Sequence, residues 1–280
     1  MKIHRFYFEN NLNNYKVGDN IDIANQEQKH QILNVLKLEK GEYISLFNDK
    51  RVLLCEIKET ENNRKRQKVS LLIKDIKMSD IKIVENEDNR FRKDIEINLY
   101  MSVIKKDKFE MIIEKAVELN ATSVTPLITM RTEKSNIQSI TNDNEKKRIS
   151  KIIIEATEQC GRMDIMQYHT SQTIDQSISL LTDTNNNVLN LFTHIEASEN
   201  IREVLYSFKE KQEYIVNDKN VAKSIINIYI GPEGGWHDDE IDKMKQAGYR
   251  PVSIARYVLR AETAAIAALS QVGLLAFQDL

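Results

Sequence analysis

The residues Ile228-Tyr229-Ile230-Gly231-Pro232-Glu233-Gly234-Gly235-Trp236 join an apolar run to a loop that holds three of the chain's eight glycines. The apolar run is rich in β-branched residues, which is typical of a buried strand. Glycine lets a backbone approach a ligand closely, and open α/β sheets bind ligands beyond the carboxyl ends of their strands. The pattern therefore predicts a strand followed by a ligand loop, with a tight strand-to-helix turn as the alternative.

A second segment, Val252–Ala264, repeats this design with a short apolar run and a loop that leads into an apolar helix. Backbone groups between Tyr257 and Ala264 are suited to bind the edge of an adenine. Thr263 is a candidate helix cap. Arg260 and Glu262 either pair with each other or take part in catalysis, and the residues alone leave both readings open.

The glycine loop has neither the lysine of a P-loop nor the glycine spacing of a dinucleotide-binding turn. Glu233 would also repel a phosphate group. An uncharged or cationic ligand fits the loop better, and an adenosine that carries a sulfonium is one such ligand.

The amino-acid composition limits the classes of protein to which the chain can belong. The 280 residues carry a formal net charge of −2, and basic residues outnumber acidic ones only within residues 1–92. Any basic surface is therefore local. Cys55 and Cys160 lie far apart, which favours a reducing, cytoplasmic location. The five histidines lack metal-ligand spacing, and no apolar run is long enough for a membrane span, so we expect neither a metal nor a membrane.

Two patterns of elements divide the chain. Strand-like runs at 3–8, 43–47, 52–57 and 69–76, with an amphipathic segment at 26–36, predict a compact β-barrel over residues 1–78. Residues 79–93 are predicted as a linker. Residues 94–280 alternate strands and helices, which predicts a parallel sheet covered on both faces. Strands are expected at 95–103, 124–129, 187–193, 225–230 and 251–254, and helices at 109–119, 145–160, 201–208, 238–248 and 262–277.

Three further features of the sequence bear on burial and on ligand binding. The last helix is apolar nearly all round, so it is either deeply buried within the chain or part of a dimer interface. Glu155 and Glu158 favour a solvated helix face, and Arg162 just beyond them is suited to hold a phosphate. The basic run Arg64-Lys65-Arg66 is typical of a solvated turn.

Several motifs together resemble the RsmE family of ribosomal RNA methyltransferases, SPOUT-class enzymes that methylate N3 of a uridine in small-subunit ribosomal RNA. The two strongest are Gly231–Trp236 and Leu259–Ala264. The others follow the family's order along the chain: His4-Arg5-Phe6, Glu114–Leu119, Pro126-Leu127 with Arg131, and Glu155–Arg162.

The resemblance implies a PUA-like RNA-binding barrel, a SPOUT domain with a C-terminal trefoil knot, a homodimer, S-adenosylmethionine as cofactor, and 16S ribosomal RNA in the small ribosomal subunit as substrate. It implies RNA contacts at His4, Arg5, Arg131 and Arg162, and catalytic candidates at Arg260, Glu233 and Glu262. The implied cofactor-binding residues are Leu191, Phe192, Thr193, Ile230, Gly231, Pro232, Gly234, Ser253, Ile254, Ala255, Tyr257, Val258, Leu259, Thr263 and Ala264.

Three positions depart from the family pattern. The family usually has glycine where this chain has Ala255 and Asn120, and arginine where it has Tyr257. Asparagine tolerates the left-handed conformation, so Asn120 is a mild change. Ala255 and Tyr257 lie in an implied cofactor loop and motivate one alternative, an RNA- or ribosome-binding protein with weak or lost catalysis. A methyltransferase that acts on another RNA and keeps the same pocket is a further alternative.

Overall fold

A computed structural model describes residues 3–48, 51–63, 67–78, 95–180, 187–215 and 224–276. The predicted linker at 79–93 and the run Arg64-Lys65-Arg66 lie outside these residues. The chain divides into two compact units. The first comprises Met1–Val84 with Thr157–Ile165, and the second comprises Glu85–Ala156 with Met166–Leu280. The domain boundaries at 78 and 94 stay a prediction.

The first unit is built on a five-stranded sheet with the order β1-β3-β4-β5-β2. Its strands are β1 (His4–Tyr7), β2 (Asn20–Asp22), β3 (Tyr43–Asn48), β4 (Arg51–Asn62) and β5 (Gln67–Met78). The pair β1–β3 is parallel, and the other pairs are antiparallel. Leu12–Asn14 form a 3-10 turn, and helix α1 (Gln26–His30) continues into a π-helical turn at Gln31–Val35. The sequence predicted every one of these strands except β2, which has only three residues.

The second unit is the predicted α/β domain with a parallel sheet, whose order is β12-β10-β11-β6-β7-β8 with β9 also paired to β7. Its strands are β6 (Ile95–Ser102), β7 (Ser123–Ile128), β8 (Gln167–Tyr168), β9 (Gln172–Thr173), β10 (Val188–Thr193), β11 (Ser224–Ile230) and β12 (Arg250–Val252). Its helices are α2 (Lys106–Glu118), α3 (Lys134–Thr141), α4 (Asp143–Cys160), α5 (Ile174–Leu180), α6 (Ile201–Ile215), α7 (Asp238–Gln246) and α8 (Ala261–Ala276), where the last turn of α4 is grouped with the first unit.

All strand pairs of the second sheet are parallel. The loops that follow β6, β10, β11 and β12 therefore leave the sheet at the same edge. The sequence did not predict α3, α5, β8 or β9, because short and largely polar segments carry little hydrophobic periodicity.

A ladder of polar side chains crosses the four central strands of this sheet. Ser123 donates to Asn98 at 2.7 Å, Asn98 to Asn227 at 3.0 Å, and Asn227 to Asn190 at 2.7 Å. Asn227 is fully buried. A buried amide without partners is costly, so only one register of β7, β6, β11 and β10 satisfies all four side chains. The ladder thereby fixes the height at which the strands end.

Backbone signals at two helix ends agree with the sequence. Asn120 adopts φ 62° just after α2, so its tolerance of the left-handed region is confirmed. Gly161 follows α4 with φ 85°.

Helix α8 is buried on one side only within this chain. Ala265, Ala268, Leu269 and Val272 are buried, and the helix packs against α2, α6, β6 and β11. Leu274 is 56% exposed on another side. Among the described residues, α8 is thus not buried on every side, and a dimer interface stays a prediction. Within the described residues, no helix is long and apolar enough to cross a membrane.

Candidate active site

The loops that follow β6, β10, β11 and β12 enclose a cavity of about 800 Å³. Cavities of this size bind small molecules and cofactors. Of the residues that the sequence proposed, those that line it are Arg131, Thr193, Ile230, Gly231, Pro232, Glu233, Ser253, Ile254, Ala255, Tyr257, Val258, Leu259, Arg260, Glu262 and Ala264. Residues from four segments, at positions 131, 193, 230–233 and 253–264, thus form one site.

Four proposed cofactor residues do not line the cavity. Leu191 and Phe192 are fully buried within β10, where they pack in the sheet below the loop. Gly234 lies between two lining residues, Glu233 and Gly235. Thr263 is exposed in the first turn of α8, and the N-cap position falls on Arg260 because the helix begins at Ala261. Thr263 therefore does not cap the helix.

The side chain of Trp236 connects the loop after β11 to the end of β10. Its indole Nε1 donates a hydrogen bond to the carbonyl oxygen of Thr193 at 2.9 Å, and the side chain is 5% exposed. Gly231 lies directly against the indole, where a Cβ atom would come within 3.1 Å of the ring atom Cε2. The glycine at position 231 is therefore required by packing rather than by backbone conformation.

Arg131 and Glu240 hold the glycine loop from the other side. The Arg131 guanidinium donates to the carbonyl oxygen of Gly234 at 2.7 Å. The buried carboxylate of Glu240 accepts the backbone N–H groups of Met130 and His237, both at 2.9 Å. Glu240 thus caps α7 and ties it to the loop after β7. The glycine loop is held on two sides, as pre-organised binding requires.

The other cavity loop is also fixed by side chains. Gln271 on α8 donates to the carbonyl oxygen of Ile254 at 3.1 Å, and Ser253 donates to that of Ala255 at 3.2 Å. On the first loop, the buried hydroxyl of Ser102 donates to the carbonyl oxygen of Ile230 at 2.7 Å. The backbone at the ends of β11 and β12 is therefore held in position, where a ligand can bind to it.

Glu262 pairs with Lys108 rather than with Arg260. The Nζ atom of Lys108 lies 3.2 Å from Oε1 of Glu262, whose side chain is 8% exposed. Burial is the largest influence on this carboxyl and raises its pKa. Its own backbone N–H, Lys108 and Arg260 together outweigh that influence, so the pKa of Glu262 is lower than usual.

Lys105 and Lys108 are cavity residues that the sequence reading missed. Both follow β6 at the start of α2, so the rule that placed ligand loops after β11 and β12 would have found them. With Arg131 and Arg260 they face the carboxylates of Glu196, Glu233, Asp238 and Glu262 around the cavity. The cavity therefore has mixed charge.

Apolar side chains stand exposed at the cavity. Ile195, Tyr257 and Val258 line it and are 52%, 72% and 80% exposed. The Arg256 guanidinium lies 5.6 Å from the centroid of the Tyr257 ring. An aromatic ring with an adjacent guanidinium is a surface on which planar aromatic groups stack, so Tyr257 offers a stacking surface at the cavity.

The remaining RNA-binding candidates belong to the first unit. Arg5 donates to the carbonyl oxygen of Arg162 at 3.1 Å and lies 4.7 Å from the centroid of the Phe47 ring. The buried Arg162 pairs with Asp164 at 2.8 Å. Both guanidinium groups therefore have structural partners within this unit. RNA contact by His4, Arg5 and Arg162 stays a prediction.

Glu158 is not part of a solvated helix face, because its carboxylate accepts the backbone N–H of Tyr7 at 2.8 Å. Glu155 is exposed as expected. The described residues contain no group of three or more histidine, cysteine or acidic side chains that could hold a metal ion.

A parallel α/β domain with a cavity at its strand ends defines a class of proteins that bind a small ligand at that edge. Residues 91–273 match the model of the RNA methyltransferase domain. The chain belongs to this RNA methyltransferase family and, within it, to the RsmE family that its motifs resemble.

Similar proteins cover the whole length of the chain. Ribosomal RNA small subunit methyltransferase E of Rickettsia conorii is 27% identical over 281 residues, which span 98% of this chain and 97% of that protein. A putative methyltransferase from Legionella pneumophila, solved with the bound cofactor SAM, has a TM-score of 0.73, 27% identity and 97% coverage of both chains. A ribosomal RNA small subunit methyltransferase E from Neisseria gonorrhoeae shares the fold at a TM-score of 0.70 and 22% identity, with 96% coverage of both chains.

Proposed function

We propose that this protein transfers a methyl group from S-adenosylmethionine to N3 of a uracil in 16S ribosomal RNA of the small ribosomal subunit. The main support for the proposal is the cavity that forms where the glycine loop and the Leu259–Ala264 loop meet. The names of its relatives and the SAM-bound Legionella structure support the same activity.

The cavity fits the proposed cofactor. Gly231 packs directly against the indole of Trp236, which leaves its backbone accessible at the cavity, and the apolar residues Ile230, Val258 and Leu259 suit an adenosine. The exposed carboxylate of Glu233 suits a nearby positive charge. When bound, S-adenosylmethionine supplies a methyl group on a positively charged sulfur. We propose that the lining residues named above contact it, and that Leu191, Phe192, Gly234 and Thr263 support them.

The uracil N3–H is a weak acid and must lose its proton before N3 can attack. Glu233 lines the cavity, is exposed, and is the better candidate for the base. Glu262 is a poorer one, because its lowered pKa makes it a weaker base and its carboxylate is already paired with Lys108. Arg260, exposed at the cavity, is a candidate for holding the substrate anion or an adjacent phosphate. Alignment of N3 with the methyl carbon would supply a large part of the rate.

The finer architecture is part of the proposal. Convergence of the loops after β10, β11 and β12 on one cavity supports a trefoil knot in the C-terminal part of the sheet. The five-stranded first unit supports a PUA-like barrel that binds RNA through His4 and Arg5. The incompletely covered helix α8, with Leu274 exposed, supports a homodimer. A ribosomal RNA substrate implies the cytoplasm.

The test is a methyl-transfer assay on small ribosomal subunits purified from cells that lack this gene. We expect one methyl group per subunit, located on a uracil N3 by mass spectrometry, and saturable binding of S-adenosylmethionine by calorimetry. No binding at millimolar cofactor would favour the RNA-binding protein without catalysis. Binding without transfer to small subunits, but with transfer to another RNA, would favour the other alternative.

A further inference from the structure

We propose that Lys108, held in place by Glu262, is the cation that stabilises the deprotonated uracil during methyl transfer. This role rests on the function proposed above and adds a catalytic residue to it. Neither the glycine loop nor the loop after β12 contains Lys108, which lies in the first turn of α2.

The geometry brings a buried anion and a partly exposed cation together inside the cavity. Glu262 lies in the first turn of α8, and its side chain is 8% exposed, whereas that of Lys108 is 37% exposed. Both line the cavity, and their charged atoms are 3.2 Å apart. The pair joins the starts of α2 and α8, two helices that pack against each other.

Burial of Glu262 makes the ammonium of Lys108 a fixed group rather than a mobile one. A buried carboxylate without a partner is strongly unfavourable, so Glu262 holds its partner close. Within the part of the chain that the structure describes, Glu262 is the ion-pair partner found for Lys108. An ammonium has three donors, and this pair leaves others to face the cavity.

The ion pair of Lys108 and Glu262 has no net charge. It is therefore better suited to stabilise a negative charge that develops during the reaction than to bind a group that is already anionic. Glu262 repels a phosphate or a carboxylate that approaches Lys108, so the pair gains little from capturing a ground-state anion. A uracil oxygen gains negative charge only as N3 loses its proton. A positioned N–H donor strengthens with that charge, which is the differential binding that accelerates a reaction.

In the proposed step, a proton leaves N3 before the methyl group is transferred. Glu233 takes the proton from N3 and releases it to water. N3 then gives its electron pair to the methyl carbon as the bond from that carbon to sulfur breaks. Lys108 keeps its proton throughout and donates a hydrogen bond to a uracil oxygen.

The test compares single-turnover methyl transfer by the wild type and by Lys108→Met. At about pH 7 we expect roughly 100-fold slower transfer, the size seen when one donor to a developing oxyanion is removed. The difference should shrink towards about pH 9.5, because uracil then ionises without help. The rate difference between the wild type and Lys108→Met should also be smaller at neutral pH with RNA that carries 5-fluorouridine at the target, because the N3–H of 5-fluorouridine is more acidic. Lys108→Arg should restore most of the rate.

A matched control lies two residues away in the same helix. Lys106 pairs with Glu145 and is not a cavity residue, so Lys106→Met should transfer methyl groups at the wild-type rate. Glu262→Gln should slow transfer about 10-fold by loosening the ammonium. Affinity for S-adenosylmethionine, measured by calorimetry, should stay close to wild type in Lys108→Met.

Three results would overturn this role while leaving the proposed function intact. These are a wild-type rate in Lys108→Met, a rate deficit that is the same at every pH and with either RNA, and a loss of cofactor affinity that accounts for the whole deficit. Absence of transfer by the wild-type protein overturns the proposed function and this role with it.

Discussion

Substitution of Gly231 by alanine is expected to weaken S-adenosylmethionine binding by roughly 10- to 100-fold, which corresponds to about 1–3 kcal/mol of overpacking. The new Cβ would lie 3.1 Å from Cε2 of Trp236. The indole has little room to retreat, because it is buried and bonded to the carbonyl oxygen of Thr193. The backbone at 231 would therefore shift, and the glycine loop with it. Calorimetry measures the affinity.

Gly234→Ala provides a steric comparison in the same loop. Its Cβ would meet Arg131 at 3.6 Å, an ordinary contact. Trp236 is the chain's single tryptophan, so fluorescence excited where tyrosine does not absorb reports on this site alone. We expect a shifted emission spectrum in Gly231→Ala and an unchanged one in Gly234→Ala. An unchanged spectrum and wild-type affinity in Gly231→Ala would contradict the packing argument.

Removal of the Trp236 side chain is expected to have the largest effect on stability. Loss of a buried tryptophan costs about 3–5 kcal/mol in other proteins, and here Trp236→Ala also frees the loops after β10 and β11 from each other. We expect the second unit to unfold at a lower urea concentration, as monitored by circular dichroism. We also expect no detectable cofactor binding.

Trp236→Phe separates packing from hydrogen bonding. It keeps an aromatic ring against Gly231 but loses the Nε1 donor to Thr193, so about 1 kcal/mol of destabilisation is expected. Cofactor binding should be weakened but measurable. Equal unfolding of the wild type, Trp236→Phe and Trp236→Ala would show that Trp236 does not hold the two loops together.

Local pattern was sufficient to predict most of the elements that build the site. Hydrophobic runs located β6, β7, β10, β11 and β12, and their alternation with helices predicted a parallel sheet. Parallel strands end at a common edge, which predicted ligand loops there, and the family resemblance implied that the glycine loop and the loop after β12 form one pocket.

Contacts between distant side chains could not be predicted in this way. The partner of Glu262 is 154 positions away at Lys108, whereas the sequence suggested its neighbour Arg260. The sequence did not predict that Arg162 pairs with Asp164 or that its carbonyl oxygen accepts a hydrogen bond from Arg5, and its role as a phosphate ligand stays a prediction. Such pairs depend on how whole elements pack, and no periodicity in the chain encodes them.

The most direct test of the central claim is mass mapping of 16S ribosomal RNA from cells with and without this gene. We expect one uridine to carry an N3-methyl group in the parent strain and to lack it in the deletion strain. The wild-type gene should restore the methyl group, and the Gly231→Ala variant should restore it less completely. Identical methylation of every uridine in both strains would contradict the account.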